Sequence, residues 1–218
     1  MGVKILLVDD HRIMRDGLRS LIEKRPGMEV VAEAENGRIA VKLTRQLKPD
    51  VIVMDINMPD LNGIDATRQI VAEFPGTKII AFSMHIDHQF VAGALKAGVS
   101  GYLQKDSAFE ELDRAIRTVI ANQTYLSSKI VGDVVKGYVE KLVTGESAAP
   151  STFLTARERE VVQLYAEGQT TKQIADHLNL SVKTVETHRL HIMEKLDITG
   201  IAELTKFAIR EGLTSLDT

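Results

Sequence analysis

The sequence predicts an α/β domain, a doubly wound five-stranded parallel sheet, followed by a small all-α domain of four helices. Three observations predict it. From residue 4 to about 121, short β-branched runs alternate with longer segments of helical period, the pattern of successive βα units. From Thr155 onward the strand signal vanishes and helix start and stop signals recur. Between them lies TGESAAPST, small and polar with one Pro, which has the composition of a linker. The expected division is therefore residues 1–121, a connector and linker over 122–152, and a C-terminal domain over 153–218.

Residues 4–9 (KILLVD), 29–34 (EVVAEA), 50–55 (DVIVMD), 77–83 (TKIIAFS) and 99–103 (VSGYL) read as the five strands. Three are nearly continuous apolar runs, as expected of strands covered on both faces. Met14, Leu18, Leu21 and Ile22 recur at helical spacing, as do Ile39, Ala40, Leu43 and Leu47, then Ile64, Thr67, Ile70 and Val71. A fifth helix is expected to open at Ser107, with Glu110 completing a capping box, and to carry Leu112, Ala115, Ile116 and Val119. Residues 128–142 keep a helical period through Ile130, Val131, Val134, Val135, Tyr138 and Leu142. Gly132 and Gly137 weaken that helix by about 1 kcal/mol each relative to Ala, so it reads as a connector. In the C-terminal domain Thr155 and Glu158 form a capping box, and Gly168 ends the first helix. Thr171 to Leu178 is the second helix and Asn179-Leu180-Ser181 a tight turn. Ser181 caps a third helix running to about Leu196, and Ile201 to Glu211 is the fourth, closed by Gly212.

Composition narrows the function classes. Apolar residues at 44% and charged residues at 26% make a core-forming globular chain and exclude disorder as its main state. With no Cys there is no disulfide framework, thiolate metal site or thiol nucleophile, and a reducing cytoplasm is the expected compartment. The apolar run in MGVKILLVDDH is too short for a signal peptide or membrane span, and no membrane association is expected. The net charge of −3 argues against a bulk polycation. Neither part escapes this: residues 1–145 have 19 basic and 19 acidic side chains, and residues 151–218 have 8 and 10. Any nucleic-acid role must therefore rest on a local cluster, and Lys172, Lys183, Arg189 and Lys195 gather around one helix.

Ligands of a parallel doubly wound sheet bind beyond the carboxyl ends of its strands. Asp9 and Asp10 stand at the end of the first strand, Asp55 at the end of the third, Ser83 at the end of the fourth and Lys105 just past the fifth. Three converging carboxylates repel one another without a cation, and hard oxygen ligands suit Mg²⁺. With a metal present Asp55 becomes a plausible nucleophile for a phosphoryl group, while Lys105 pairs with phosphate oxygens and Ser83 donates a hydrogen bond to one. A single Asp at a strand end is more often an N-cap or turn residue. Five residues of matching chemistry at successive strand ends point instead to a site.

Residues 1–121 resemble a response-regulator receiver domain, through VDDH at 8–11, MDINMPDLNG at 54–63, FSMH at 82–85 and GYLQKD at 101–106. The resemblance implies a flavodoxin-like sheet, Asp55 as phosphoacceptor, and Asp9, Asp10, Asp55 and the backbone carbonyl of Asn57 as Mg²⁺ ligands. It also implies Ser83 and Tyr102 as a switch pair, the ring turning inward when the hydroxyl moves to the phosphate. Tyr102 alone also fits a half-buried strand aromatic. The competing enzyme reading is a phosphatase using Asp55 as covalent nucleophile. Such haloacid-dehalogenase-like enzymes carry a second Asp two residues later; here Asn57 stands there and cannot act as a general acid. Turnover on an external substrate is therefore not expected.

Thr170 to Arg189 has the length and turn placement of a helix-turn-helix. At about 100° per residue, Val185, Ile192 and Leu196 share a core-facing side, while Lys183, Thr187, Leu190 and Glu194 lie opposite with Glu186 at the edge. Lys183, Glu186, Thr187, Leu190 and Glu194 are the candidate base contacts, and Lys172, Thr184 and Arg189 the candidate phosphate contacts. A generic helical bundle shows the same alternation, so the motif decides more than charge does. The segment resembles the LuxR-type DNA-binding domain through LTAREREVVQLYAEG at 154–168, TKQIADHLNLSVKTVETH at 171–188 and the run Ile192 to Leu196. Together with the receiver, that resemblance places the chain with NarL/FixJ-like response regulators. It departs from them at Thr171, often Asn, at Glu186, often basic, and at Ile201, often Arg, which bears on affinity and target sequence. His188 and His191 lie one turn apart without a third ligand, which favours packing or phosphate-facing roles. The resemblance implies a cytoplasmic transcription factor phosphorylated by a cognate histidine kinase and binding double-stranded DNA. Because the domain is weakly charged, two copies on adjacent half-sites are expected, a homodimer with the fourth helix, Ile201 to Glu211, as the expected interface. The alternative is an interaction protein whose receiver binds another protein and whose bundle never meets DNA.

Overall fold

The computed structural model describes residues 2–84, 88–132 and 154–214, with backbone alone at 88, 89 and 107–110. The chain divides into two compact units, Met1–Gly145 and Glu146–Thr218. The first runs β1 (Val3–Val8), α1 (Arg12–Glu23), β2 (Met28–Ala34), α2 (Gly37–Leu47), β3 (Val51–Asp55), α3 (Gly63–Glu73), β4 (Lys78–Ser83), α4 (His88–Ala97) and β5 (Gly101–Gln104). A 3₁₀ turn (Lys105–Ser107), α5 (Ala108–Ile120) and β6 (Tyr125–Leu126) follow, and residues 128–132 are helical (α6).

All pairings are parallel, in the order β2-β1-β3-β4-β5-β6. Successive side chains of a strand point to opposite faces, and the central strands are apolar on both. Leu6, Val8, Ile52, Met54, Ile79 and Ala81 join one core with Ala40, Ala66, Ile70, Val91 and Ala94 of α2, α3 and α4. Ile5, Leu7, Val51, Val53, Ile80 and Phe82 join the other with Leu18, Ile22, Leu112 and Ile116 of α1 and α5. Neighbouring β1 and β3 form the point where the strand order reverses, so the residues after both strands open onto one crevice.

The sheet has six strands, not the expected five. Tyr125 and Leu126 lie opposite Gly101 and Tyr102 of β5. Two residues cannot display an alternation, and the strand forms because α5 returns the chain to an open sheet edge. The fourth crossover, α4, buries Val91 and Ala94 in a segment rich in small residues, whose weak apolar contrast leaves little pattern to read. The expected capping box at Ser107 and Glu110 involves side chains outside the described residues. Of the expected connector helix over 128–142, residues 128–132 are helical with Ile130 fully buried; the remainder and the linker to 152 lie outside the described residues.

The second unit contains α7 (Ala156–Ala166), α8 (Thr171–Leu178), α9 (Val182–Leu196) and α10 (Ile201–Arg210). Thr155 and Glu158 form the expected capping box at α7, and Thr170 with Gln173 forms another at α8. Gly168, at φ +82°, supplies the left-handed residue that ends α7. Asn179 takes the same conformation after α8, and Ser181 caps α9 by accepting from the Thr184 amide at 3.0 Å. Val161, Leu164, Ile174, Val185, Ile192 and Leu204 are fully buried and pack together.

Glu158 does more than cap. It lies 8% exposed and accepts from Thr155 N–H at 2.7 Å and from Lys195 Nζ at the far end of α9. Burial opposes its charge, but the bonds from Lys195 and Thr155 prevail and hold its carboxyl below the ordinary glutamate range. A depressed folded value stabilises the fold above the unfolded carboxyl value, and that stabilisation is lost as pH falls through the folded one. Glu158→Gln is therefore expected to cost the helical unit about 1 kcal/mol at pH 7. That cost begins to shrink near the ordinary glutamate value and vanishes only once the pH is below the depressed folded value. Hydrogen exchange of α7 and α9 amides in the full chain checks this, with roughly fivefold lower protection expected at neutral pH.

Candidate functional site

The carboxyl edge of the sheet brings together what the sequence places at its strand ends. Asp9 and Asp10 follow β1, Asp55 closes β3, Ser83 closes β4 and Lys105 follows β5. Asp9, Asp55 and Ser83 are almost completely buried, Lys105 is 7% exposed and Asp10 about a quarter exposed. Lys105 reaches across β4: its Nζ lies 5.4 Å from the centre of the Phe82 ring, and Phe82 stands beside Asp55 in register. Lys105 Nζ donates to Asp55 Oδ2 at 2.7 Å and lies 2.7 Å from Asp9 Oδ2. The second contact pairs charge at hydrogen-bonding distance, and the buried Asp9 Oδ2 has no other donor.

Burial pushes the Asp55 carboxyl up to about 7; Lys105 pulls against this shift and the Asp9 charge adds to it. Burial also disfavours the Lys105 ammonium, but the Asp55 and Asp9 charges prevail and hold its value above the ordinary lysine range. Asp55 Oδ1 accepts from the Asn57 amide at 3.3 Å. One ligand atom each from Asp9, Asp10, His11 and Asp55 falls within 4.8 Å of the others. Asp10 Oδ1 and Asn57 Oδ1 are buried without a hydrogen-bond donor. His11 Nδ1 lies 2.9 Å from Asp10 Oδ1, within ion-pair distance if the ring is protonated. Buried oxygen acceptors lacking donors, in a cluster with more carboxylates than ammonium groups, form a donor set that fits a hard divalent cation.

The loop after Asp55 is held rigidly. Ile56 N–H donates to Phe82 O at 3.3 Å, and Gly63 N–H donates to Ile56 O at 2.8 Å. A Cβ on Gly63 would lie 1.9 Å from the carbonyl oxygen of Asp55, an approach that only glycine permits. Tyr102 of β5 is fully buried, so any switch it makes with Ser83 is a repacking inside the core. The site also involves His11, Phe82 and Gly63, to which the sequence assigns no role. His11 had a signal in its place beside the two Asp residues; the approach of Gly63 to Asp55 had none.

In the helical unit, Val185 and Ile192 of α9 are fully buried and Leu196 half-buried. Lys183, Glu186, Thr187, Leu190 and Glu194 are exposed, with Leu190 at 61%, and Lys172 on α8 is exposed too. Thr184 and Arg189 are half-buried; the Thr184 hydroxyl lies 2.8 Å from Ser181 Oγ, and Arg189 Nε is buried without an acceptor. Lys195 departs from the expected basic cluster because its ammonium is committed to Glu158. His188 is half-buried and His191 exposed, and among the described residues neither belongs to a group of metal-ligating side chains. No helix among the described residues is long and apolar enough to cross a membrane.

Residues 5–117 match the response regulator receiver domain family, and residues 152–208 match the luxR family of bacterial regulatory proteins. The response regulator UvrY of Escherichia coli (strain K12) is 38% identical over 216 residues, covering 99% of this chain and 98% of that protein. The transcriptional regulatory protein LiaR of Bacillus subtilis (strain 168) is 38% identical over 213 residues, covering 98% and 100%. Among solved structures, a LuxR-family two-component response regulator from Aurantimonas sp. SI85-9A1 is 41% identical with a TM-score of 0.61. It covers 64% of this chain and 99% of that one.

Proposed function

The chain belongs to the two-component response regulators of the NarL/FixJ type, a receiver joined to a LuxR-type DNA-binding domain, and on that premise we propose that it is a cytoplasmic transcription factor switched by phosphorylation of Asp55. The observation that carries this reading is the buried contact of Lys105 with Asp55 and Asp9 on the sheet edge. An Asp55 carboxylate oxygen attacks the phosphorus of a phosphohistidine on a partner kinase. The phosphorus–nitrogen bond breaks, and the imidazole nitrogen keeps the electron pair and takes up a proton. Asp9, Asp10, Asp55 and the Asn57 carbonyl would hold Mg²⁺, which supplies neutralising charge for the phosphoryl oxygens. Lys105 pairs with one of those oxygens and Ser83 donates to another. As that hydroxyl moves, Tyr102 repacks within the core. Asn57 cannot protonate a leaving group or take a proton from water, so the acyl phosphate persists and no external substrate is turned over.

The exposed face of α9 is the proposed reading surface. Lys183, Glu186, Thr187 and Leu190 would meet base edges, while Lys172, Thr184 and Arg189 would meet phosphates. The Thr187 hydroxyl donates to Lys183 O at 2.9 Å, so it offers DNA an acceptor and a methyl group. With Lys195 committed to Glu158, one copy binds weakly, and two copies on adjacent half-sites supply the affinity. Genome-wide footprinting with and without a small acyl-phosphate donor tests this, with donor-dependent selection of discrete sites expected. Failure to select any sequence would favour a partner protein over DNA. Lys183→Ala and Thr187→Ala are each expected to weaken the selected site about tenfold in a salt-controlled titration, with a smaller loss on random DNA.

A further inference from the structure

Arg15 rises from the first turn of α1 with its side chain 13% exposed. Its Nη1 donates to the main-chain carbonyl of Asp9 at 2.6 Å, and its Nε donates to Glu33 Oε2 at 3.1 Å. Glu33 lies on β2 opposite Leu7 of β1, and its other oxygen accepts from Arg19 Nε at 2.6 Å. Burial opposes the Glu33 charge, but the bonds from Arg19 and Arg15 prevail and keep its carboxyl below the ordinary range. The Asp9 amide donates to Ala34 O at 3.1 Å, so the main chain of Asp9 is held at both its N–H and its C=O. That carbonyl belongs to the peptide leading into Asp10, and its direction sets where the Asp10 side chain starts.

The turn has little else to define it. His11 is the N-cap of α1 but makes no side-chain cap bond. The His11 amide donates to Asp9 Oδ1 at 2.9 Å, a tie that draws on the carboxylate itself. A guanidinium fork can serve a carbonyl and a carboxylate in two fixed directions at once, which a lysine ammonium does less well.

The geometry points to Arg15 as a positioning residue for the acidic pair: braced on Glu33, it holds the Asp9 carbonyl and so aims the Asp9 and Asp10 carboxylates at a divalent cation. This rests on the metal reading proposed for the site. A purely structural fastening of α1 to β2 would be shared with Arg19, which binds the same Glu33 and whose side chain also reaches Glu23 at 2.9 Å, on α1 itself. Arg19 is therefore the internal control.

Isothermal titration of Mg²⁺ into the full chain, without phosphodonor, separates the two roles. Arg15→Gln is expected to weaken Mg²⁺ binding about tenfold, as outer-shell substitutions do, and Arg15→Lys by an intermediate factor. Arg19→Gln is expected to stay within about twofold of the unsubstituted chain, since it leaves the Asp9 contact intact. Unchanged affinity in Arg15→Gln, or an equal loss in Arg19→Gln, overturns the inference while leaving the metal reading in place. If circular dichroism shows that Arg15→Gln does not fold, Arg15→Lys against Arg19→Gln carries the same comparison, with equal affinities overturning it. No Mg²⁺ binding by the unsubstituted chain overturns the metal reading itself, and this inference with it.

Discussion

Asp55→Asn is expected to abolish phosphoryl uptake from a small acyl-phosphate donor in the presence of Mg²⁺, lowering the rate by at least about 100-fold, because an amide oxygen is a poor nucleophile. The fold should survive. Asn has the shape of Asp, and the substitution removes a buried carboxylate that repels Asp9, while Lys105 keeps Asp9 as a partner at 2.7 Å. The mass increment of one phosphoryl group on the intact chain is the readout. Asp113→Asn, which removes only an exposed pair with Arg117 on α5, is expected to leave uptake unchanged. Full uptake by Asp55→Asn would remove Asp55 from its proposed role. Uptake lost equally in Asp113→Asn would point to a general effect of lost charge.

Gly63→Ala is expected to be the most damaging single-methyl change in the receiver. The added carbon would lie 1.9 Å from the Asp55 carbonyl oxygen and 2.9 Å from its carbon, and both obstacles are backbone atoms that no side-chain rotation removes. Either α3 must retreat from β3 or the Asp55 loop must be displaced, which breaks the Gly63 to Ile56 hydrogen bond. A cost of about 3 kcal/mol follows from forcing atoms into a packed site, with a comparable loss of phosphoryl uptake in whatever fraction stays folded. Thermal melting paired with the uptake assay checks both. Gly132→Ala is the contrasting case: outside its own helix and chain neighbours nothing lies within 4 Å of the added carbon, so no loss is expected, and removing a helix glycine is expected to add up to about 1 kcal/mol. A Gly63→Ala protein as stable and as active as the unsubstituted chain would contradict the packing of α3 on this loop.

Much of the fold was legible because its signals are local. Apolar runs such as KILLV and VIVM declare strands covered on both faces, and Thr155 with Glu158 declares a helix start, from residues that are neighbours in the chain. Signals were missing where the element was too short, as in β6, or too rich in small residues, as in α4. The candidate site was legible to the same degree. The parallel topology puts every strand end on one edge, so Asp9, Asp10, Asp55, Ser83 and Lys105 could be gathered by counting strands.

By itself, then, the sequence determined the two-part architecture, the identity of the groups at the sheet edge and the exposed face of α9, all of which follow from periodicity and position. Tertiary structure alone decided how those groups are used. It set Lys105 between Asp55 and Asp9, committed Lys195 to Glu158 rather than to a basic surface, placed Gly63 against the Asp55 carbonyl and brought Arg15 to the carbonyl of Asp9. The physical reason is one of range. Helical and strand periods are set by each residue and its near neighbours, whereas pairing and steric contact vary within a few ångströms, and the distances between segments remote in sequence are set only when strand order and helix packing are complete.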